Sequence, residues 1–218
     1  GEAAGSRPAM IRMCSVRAAE AVGEIRDCAR GTWEMDVLEA RVTRSCAGVT
    51  NHYQDLNRLG VDRWLAMIAA FNRRPGGCLI VDSGTAVTVD VVAADGQHRG
   101  GYIVPGRALM CGALEMHTQI RLGPVPAVPG SHPGHSTDEA VQHGVLAMQV
   151  ALVEKTLRLF QKDMPDLNLY LTGGDANLLA EHLQPPQQSD GGPWVAPELI
   201  SGLVLDGLAY SCPDPEGA

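Results

Sequence analysis

The chain reads as an α/β protein, and three features of its sequence say so. Apolar runs of strand length alternate with longer stretches whose apolar residues recur at helical spacing. Glycine clusters and Pro-Gly steps punctuate the boundaries between them. Two Phe among 218 residues leave a core built mainly of aliphatic side chains, and that length is enough to bury a sizeable one.

Taken in order, residues 1–8 form a small-residue leader, and residues 9–16 have the pattern of an interior strand. Residues 18–30 place Ala19, Val22, Ile25 and Cys28 on one helical face, and residues 36–42 return to strand alternation, so a β-α-β unit is expected. Residues 46–58 are polar and irregular, and this loop carries Asn51 and Tyr53. A helix then begins at Asp62-Arg63-Trp64 and stops at Arg73-Arg74-Pro75-Gly76-Gly77.

Two strands follow, Cys78-Leu79-Ile80-Val81 and Ala86-Val87-Thr88-Val89-Asp90-Val91, joined by a turn in which Gly84 can take positive φ. Asp95-Gly96 makes a second turn. Gly100-Gly101-Tyr102-Ile103-Val104-Pro105-Gly106 brackets a short strand with glycines, implying a close backbone approach. A helix is expected over residues 107–118, and a Pro-, Gly- and His-rich connection over 123–136. Ser136 with Glu139 reads as a capping box opening a long helix to about Lys162, its face marked by Val141, Val145, Met148, Leu152, Leu157 and Leu159. Residues 168–171 make a strand that passes through Thr172-Gly173-Gly174-Asp175-Ala176 into a helix ending near His182. Pro197-Glu198 is expected to start the last helix.

A net charge of −8 argues against a nucleic-acid partner, which needs a basic face. Apolar runs break too early for a membrane span, and no signal-like segment opens the chain, so a cytoplasmic location is expected. Six scattered cysteines without a C-x-x-C pair read as core or incidental thiols. The P-loop and protein-kinase signatures are both missing.

Two acidic positions are candidates for the chemistry. Asp82, Gly84 and Thr85 combine an acid, a glycine turn and a hydroxyl, which suits a cation and phosphate bound side by side. An ordinary hairpin fits the same residues, with Asp82 and Thr85 satisfying turn backbone. Asp62 stands at a helix N-terminus, where a carboxylate is electrostatically favoured and a plain N-cap is the alternative.

In order along the chain, Asn51-x-Tyr53, Leu59-Gly60-Val61-Asp62-Arg63-Trp64, Asp82-Ser83-Gly84-Thr85-Ala86-Val87-Thr88, the Gly100 to Gly106 motif, Thr137 and Thr172-Gly173-Gly174-Asp175-Ala176 together resemble type III pantothenate kinase, also known as the Bvg accessory factor family. The resemblance implies a two-lobed ribonuclease H-like (actin-like ATPase) fold with mixed sheets flanked by helices. Residues 1–76 would belong to the first lobe and residues 77–218 to the second. It implies ATP-dependent phosphorylation of pantothenate to 4'-phosphopantothenate, in a homodimer that uses Mg²⁺ and a monovalent cation, K⁺ or NH₄⁺.

By motif position Asp62 is the general base and Asp82 the cation ligand, Gly84 and Thr85 meet ATP phosphate, and Tyr53, Gly60, Val61, Asp62, Arg63 and Thr137 hold pantothenate. Arg63 is the expected partner of the substrate carboxylate. The family's opening Asp-x-Gly-Asn-Thr-like hairpin has no counterpart here, so the first lobe is expected to be incomplete and turnover by this chain alone poor. A non-catalytic pantothenate-binding or transcription-accessory protein of the same family is the alternative, and a sugar or acetate kinase of the wider superfamily is a third.

Overall fold

The computed structural model describes residues 8–15, 19–123, 130, 132–184 and 194–211, with only the backbone of residues 19–21. Val16, residues 124–129 and 131 of the 123–136 connection and residues 185–193 of the 184–193 loop lie outside the described residues.

The chain begins with a parallel pair, β1 (Ile11–Met13) and β2 (Val37–Glu39), linked by helix α1 (Ala19–Trp33). That is the expected β-α-β unit. The stretch read as an irregular loop contains a small antiparallel pair, β3 (Ser45–Cys46) and β4 (Val49–Thr50), and a 3-10 turn at Leu56–Arg58. The pair turns through left-handed Ala47 and Gly48, so only two residues lie on each arm, too few for an alternation signal.

Helix α2 (Val61–Phe71) follows, with every residue from Arg63 to Ala70 buried. A helix apolar all round must be enclosed by other elements. It packs on the sheet built from β5 (Cys78–Ser83), β6 (Ala86–Val92), β7 (His98–Pro105), β8 (Asn168–Thr172) and β9 (Glu198–Leu199), in the order β7-β6-β5-β8-β9. The pairings of β5 with β6 and of β6 with β7 are antiparallel, whereas β8 lies parallel to both β5 and β9.

Alternation along these strands sorts the core into two layers. Cys78, Ile80, Val92 and Tyr170 face α2 and pack with Trp64, Met67 and Ile68. Leu79, Val81, Val87, Val89 and Leu171 face away and meet Val153 and Leu157 of α4 (Thr137–Gln161) and Leu179 of α5 (Ala176–His182). Helix α3 (Arg107–His117) links β7 to the α4 region, and α6 (Leu203–Ser211) lies against α2. A Cβ at Gly207 would strike the Leu65 carbonyl, so this glycine sets how closely α6 meets α2. Ala40, Leu65 and Leu208 join the first β-α-β unit to that helix pair.

Three expectations need correction. Pro197-Glu198 does not open a helix: Glu198–Leu199 adds a parallel strand beside Tyr170 and Leu171, and α6 starts only at Leu203. On α4, Met148 and Leu159 are exposed, while Gln142, Gln149 and Thr156 share the buried face with Val145, Leu146, Val153 and Leu157. The cap of α4 is also altered, since Ser136 accepts from the Glu139 N–H but the Glu139 carboxylate reaches the N–H of His135. Among the described residues, no helix is long and apolar enough to cross a membrane.

Candidate active site

Helix α2 runs back along β5, so its first turn overhangs the end of β5 that carries Asp82. Gly60 is its N-cap without a side-chain bond, and Asp62 lies inside the first turn, where its Oδ1 accepts the N–H of Arg63 at 2.8 Å. Asp62 is therefore not the plain cap that a helix start allows. On β5, Asp82 pairs in register with Thr88 of β6 and Thr172 of β8, which puts three oxygen-bearing side chains in a row on the α2 face of the sheet.

Asp82 is half-buried, and its carboxyl is held above the ordinary carboxylate range, first by burial and then by the negative charge of Asp62. The two acids thus lie within electrostatic reach of one another. Among the described residues neither has a cationic side chain paired with it. A half-buried acid with a second acid near it, flanked by hydroxyls, is a donor set suited to a cation.

The turn from β5 to β6 closes by a bond from Gly84 N to Ala86 O at 3.0 Å, leaving Thr85 exposed at its tip. Gly84 does not adopt the positive φ anticipated for it, and a Cβ there would find its nearest neighbours 3.9 Å away. The glycine freedom is spent on neighbouring loops instead. Gly173 has φ +95, and a Cβ on it would sit 2.5 Å from Asp82 Oδ1. Gly106, whose N–H donates to Thr85 O at 2.8 Å, packs its bare Cα against the Gly84 carbonyl. The Thr172 to Ala176 and Gly100 to Gly106 motifs therefore both buttress the acid-bearing turn. Asp175 N also donates to Ser83 O at 2.9 Å, and the Asp175 carboxylate faces Arg107 at 3.6 Å.

Arg63 is placed differently from expectation. Its guanidinium is buried beneath α2, with Nε and Nη2 donating to the two Asp90 oxygens at 2.8 and 2.6 Å, and Nη1 to the Tyr53 hydroxyl at 3.0 Å. Burial alone would lower its pKa, but the bonds and charge of Asp90, with a smaller part from Tyr53, offset that and raise it. Tyr53 is itself set by an Asx turn, its N–H donating to Asn51 Oδ1 at 2.9 Å.

Hollows of about 410 and 400 Å³ border this group, one lined by Tyr53 and His98, the other by Gly60 and Val61. Tyr53 meets Arg63 through its hydroxyl, and Asp62 lies within electrostatic reach of Asp82, while the two hollows share no lining residue. Thr137 is exposed at the head of α4, whose second half seats on the opposite face of the sheet. Asp90 and His98 were missed by sequence reading, as were the hydroxyls of Thr88 and Thr172 beside Asp82.

Comparison with known proteins identifies the family. The family model for type III pantothenate kinase matches residues 2–159. The type III pantothenate kinase of Pseudomonas fluorescens (strain SBW25) is 40% identical over 207 residues, covering 93% of this chain and 79% of that protein. Its counterpart in Azotobacter vinelandii is also 40% identical, over 213 residues covering 95% of this chain and 80% of the relative. Among solved structures, a protein described as a Baf family transcriptional activator from Campylobacter jejuni superposes with a TM-score of 0.53 at 22% identity, covering 91% of this chain and 80% of that one, and so shares the fold. On the extent and level of these matches, the chain belongs to the type III pantothenate kinase family.

Proposed function

We propose that this protein transfers the γ-phosphoryl group of ATP to the primary hydroxyl of pantothenate, giving 4'-phosphopantothenate, the entry step of coenzyme A synthesis. The observation that carries the reading is the electrostatic contact between Asp62 at the head of α2 and Asp82 at the end of β5. One acid can serve the attacking hydroxyl while the other serves the charge of the phosphate groups.

Asp62 takes the proton of the pantothenate hydroxyl as its oxygen attacks phosphorus, the role phosphoryl transfer requires of a positioned carboxylate. Asp82 would hold a monovalent cation, K⁺ or NH₄⁺, and Mg²⁺ would accompany the nucleotide. Bound cations supply positive charge against the crowded phosphate oxygens. The exposed Thr85 hydroxyl meets phosphate at the turn beside Gly84. Tyr53 and the Gly60-Val61-Asp62-Arg63 segment orient pantothenate at the head of α2. Thr137 joins the pantothenate site if closure or assembly brings α4 to it. The chain acts as a homodimer, a reading supported by α3, whose Leu and Met residues are not buried among the described residues.

The test is an ADP-release assay with product mass. Wild type is expected to consume ATP only with pantothenate present. Asp62→Asn should lower kcat by roughly 10²- to 10⁴-fold, the usual contribution of a general base, without lowering Tm. ATP consumption that is indifferent to pantothenate, or an undiminished Asp62→Asn, would remove the assignment.

A further inference from the structure

Four side chains close a ring beneath the head of α2. Arg63 grips Asp90 through two bonds of 2.8 and 2.6 Å. Asp90 Oδ1 also faces His98 Nε2 at 3.1 Å. His98 stacks on Tyr53, with ring centroids 5.8 Å apart and planes inclined by 23°. Tyr53 returns to Arg63 through its hydroxyl at 3.0 Å and through its ring, whose centroid lies 5.7 Å from the guanidinium carbon.

Two members of this ring, Tyr53 and Arg63, are already candidates for holding the substrate. The other two come from the β6–β7 hairpin and are fully buried, His98 at 1% and Asp90 at 2% exposure. Asp90 is the next position after Thr88 on the α2 face of β6.

The hairpin is built to make this contact. Between the pairs Asp90–Gly101 and Val92–His98 the register slips, with Val91 on one strand opposed by Arg99 and Gly100 on the other. Gly100 takes up the extra residue at φ +97, as β-bulges commonly require. The slip sets His98 on the same face as Asp90, two rows along. Gly101 then leaves room for the ion pair, since a Cβ there would lie 2.5 Å from Asp90 Oδ1 and 3.0 Å from Arg63 Nη2. A carboxylate buried under a bidentate guanidinium is rigid, because both hydrogen-bond directions and both charges are fixed at once.

We infer that Asp90 and His98 are positioning residues for the pantothenate site, holding Arg63 and Tyr53, and through Arg63 the first turn of α2 that carries Asp62. This rests on the functional reading above, and it concerns residues that reading leaves without a role. A buried acid serving only stability would affect the amount of folded protein, whereas a positioning acid sets how well the folded protein takes substrate.

The experiment uses the full chain with Asp90→Asn, which keeps shape but turns an amide toward the guanidinium, and with His98→Gln as a milder second variant. In each, KM for pantothenate is expected to rise by roughly tenfold to a hundredfold, the scale of a small misplacement of a binding group, with KM for ATP unchanged. Asp90→Glu should recover part of the loss. In parallel, the Arg63 Nε–H resonance is expected to be protected from exchange in the wild type and to lose protection in Asp90→Asn.

If both variants lower Tm or kcat while KM for pantothenate stays at the wild-type value, the inference is wrong and the ring is structural only. If wild type shows no pantothenate-dependent turnover, the functional reading fails by itself. The Arg63 resonance then still decides the positioning: retained protection in Asp90→Asn overturns it, and lost protection in a folded variant supports it.

Discussion

Asp82 occupies an awkward place for a charge, half-buried at the end of a central strand with a second acid acting on it. Its folded-state pKa is raised, so the folded chain binds that proton more tightly than the unfolded chain does. The stabilising share is full below the unfolded carboxylate pKa and is lost as pH rises through the folded one. Asp82→Asn is therefore expected to raise Tm at pH 7 in cation-free buffer, with the gain vanishing in acid where the native carboxyl is already protonated. Adding K⁺ should raise Tm in the wild type, because a ligand of the native state stabilises it, and leave Asp82→Asn unmoved. Thermal scans across pH, with and without K⁺, check both statements, and equal K⁺ responses in the two proteins would remove Asp82 as the cation ligand.

Asp82 and Asp62 were legible because each stands at a boundary, one in a turn and one at a helix start, where an acid attracts notice. Asp90 was not. In the run Ala86-Val87-Thr88-Val89-Asp90-Val91 it takes a polar position of ordinary alternation, and alternation does not say whether the polar face meets water or a buried arginine. Cys78, by contrast, behaves as its apolar run implies, a buried thiol pushed up to about 12.

At the scale of elements, the glycines separate readings that the sequence left merged. Thr172-Gly173-Gly174-Asp175 offers two adjacent glycines, and only one is constrained. Gly173 is left-handed at φ +95 and packed against Asp82, whereas nothing lies within 4 Å of a Cβ on Gly174. Gly173→Ala is expected to cost at least the ~1–3 kcal/mol of a strained backbone and to weaken K⁺ binding by displacing Asp82. Gly174→Ala should fall within about 0.5 kcal/mol of wild type, as open surface positions do. Chemical denaturation of the two variants checks the contrast, and equal losses would show that the pair acts only as a loop. The β-α-β start, the β5–β6 hairpin and the extents of α3 and α5 could be read from periodicity and turn residues. The face of α4 could be read only in part: Val145 and Leu157 are buried as expected, but Gln142, Gln149 and Thr156 repeat every seven residues on that side and disguise it as the wet side. The β9 strand was equally hidden: two residues carry no period, and it exists only because β8 offers an edge to pair with.

Across the whole molecule, α2 is the helix that joins the central sheet to α6. It packs on β5 and β6, meets α6 along its length, and presents Arg63 to Asp90 and Asp62 to the acid-bearing turn. Its partners β5, β6 and α6 all lie beyond residue 76, so the proposed lobes 1–76 and 77–218 share this helix as their common wall. α3 has the opposite character. It is eleven residues long and carries Leu109, Met110, Leu114 and Met116, yet none of its residues is buried. Leu109 is 50% exposed and Met116 78%, and Met148 on neighbouring α4 is 57% exposed. An apolar helix uncovered within one chain is the kind of surface a second copy covers, and a stable interface needs roughly 1,200–2,000 Å² in total. Sedimentation at micromolar concentration is expected to give twice the 23.1 kDa chain mass. Leu109→Lys with Met116→Lys should give the single-chain mass with the far-UV spectrum intact, because neither side chain contributes to the core. A wild-type chain that sediments as a monomer would set the homodimer aside, and a double variant that remains dimeric would place the interface elsewhere than on α3.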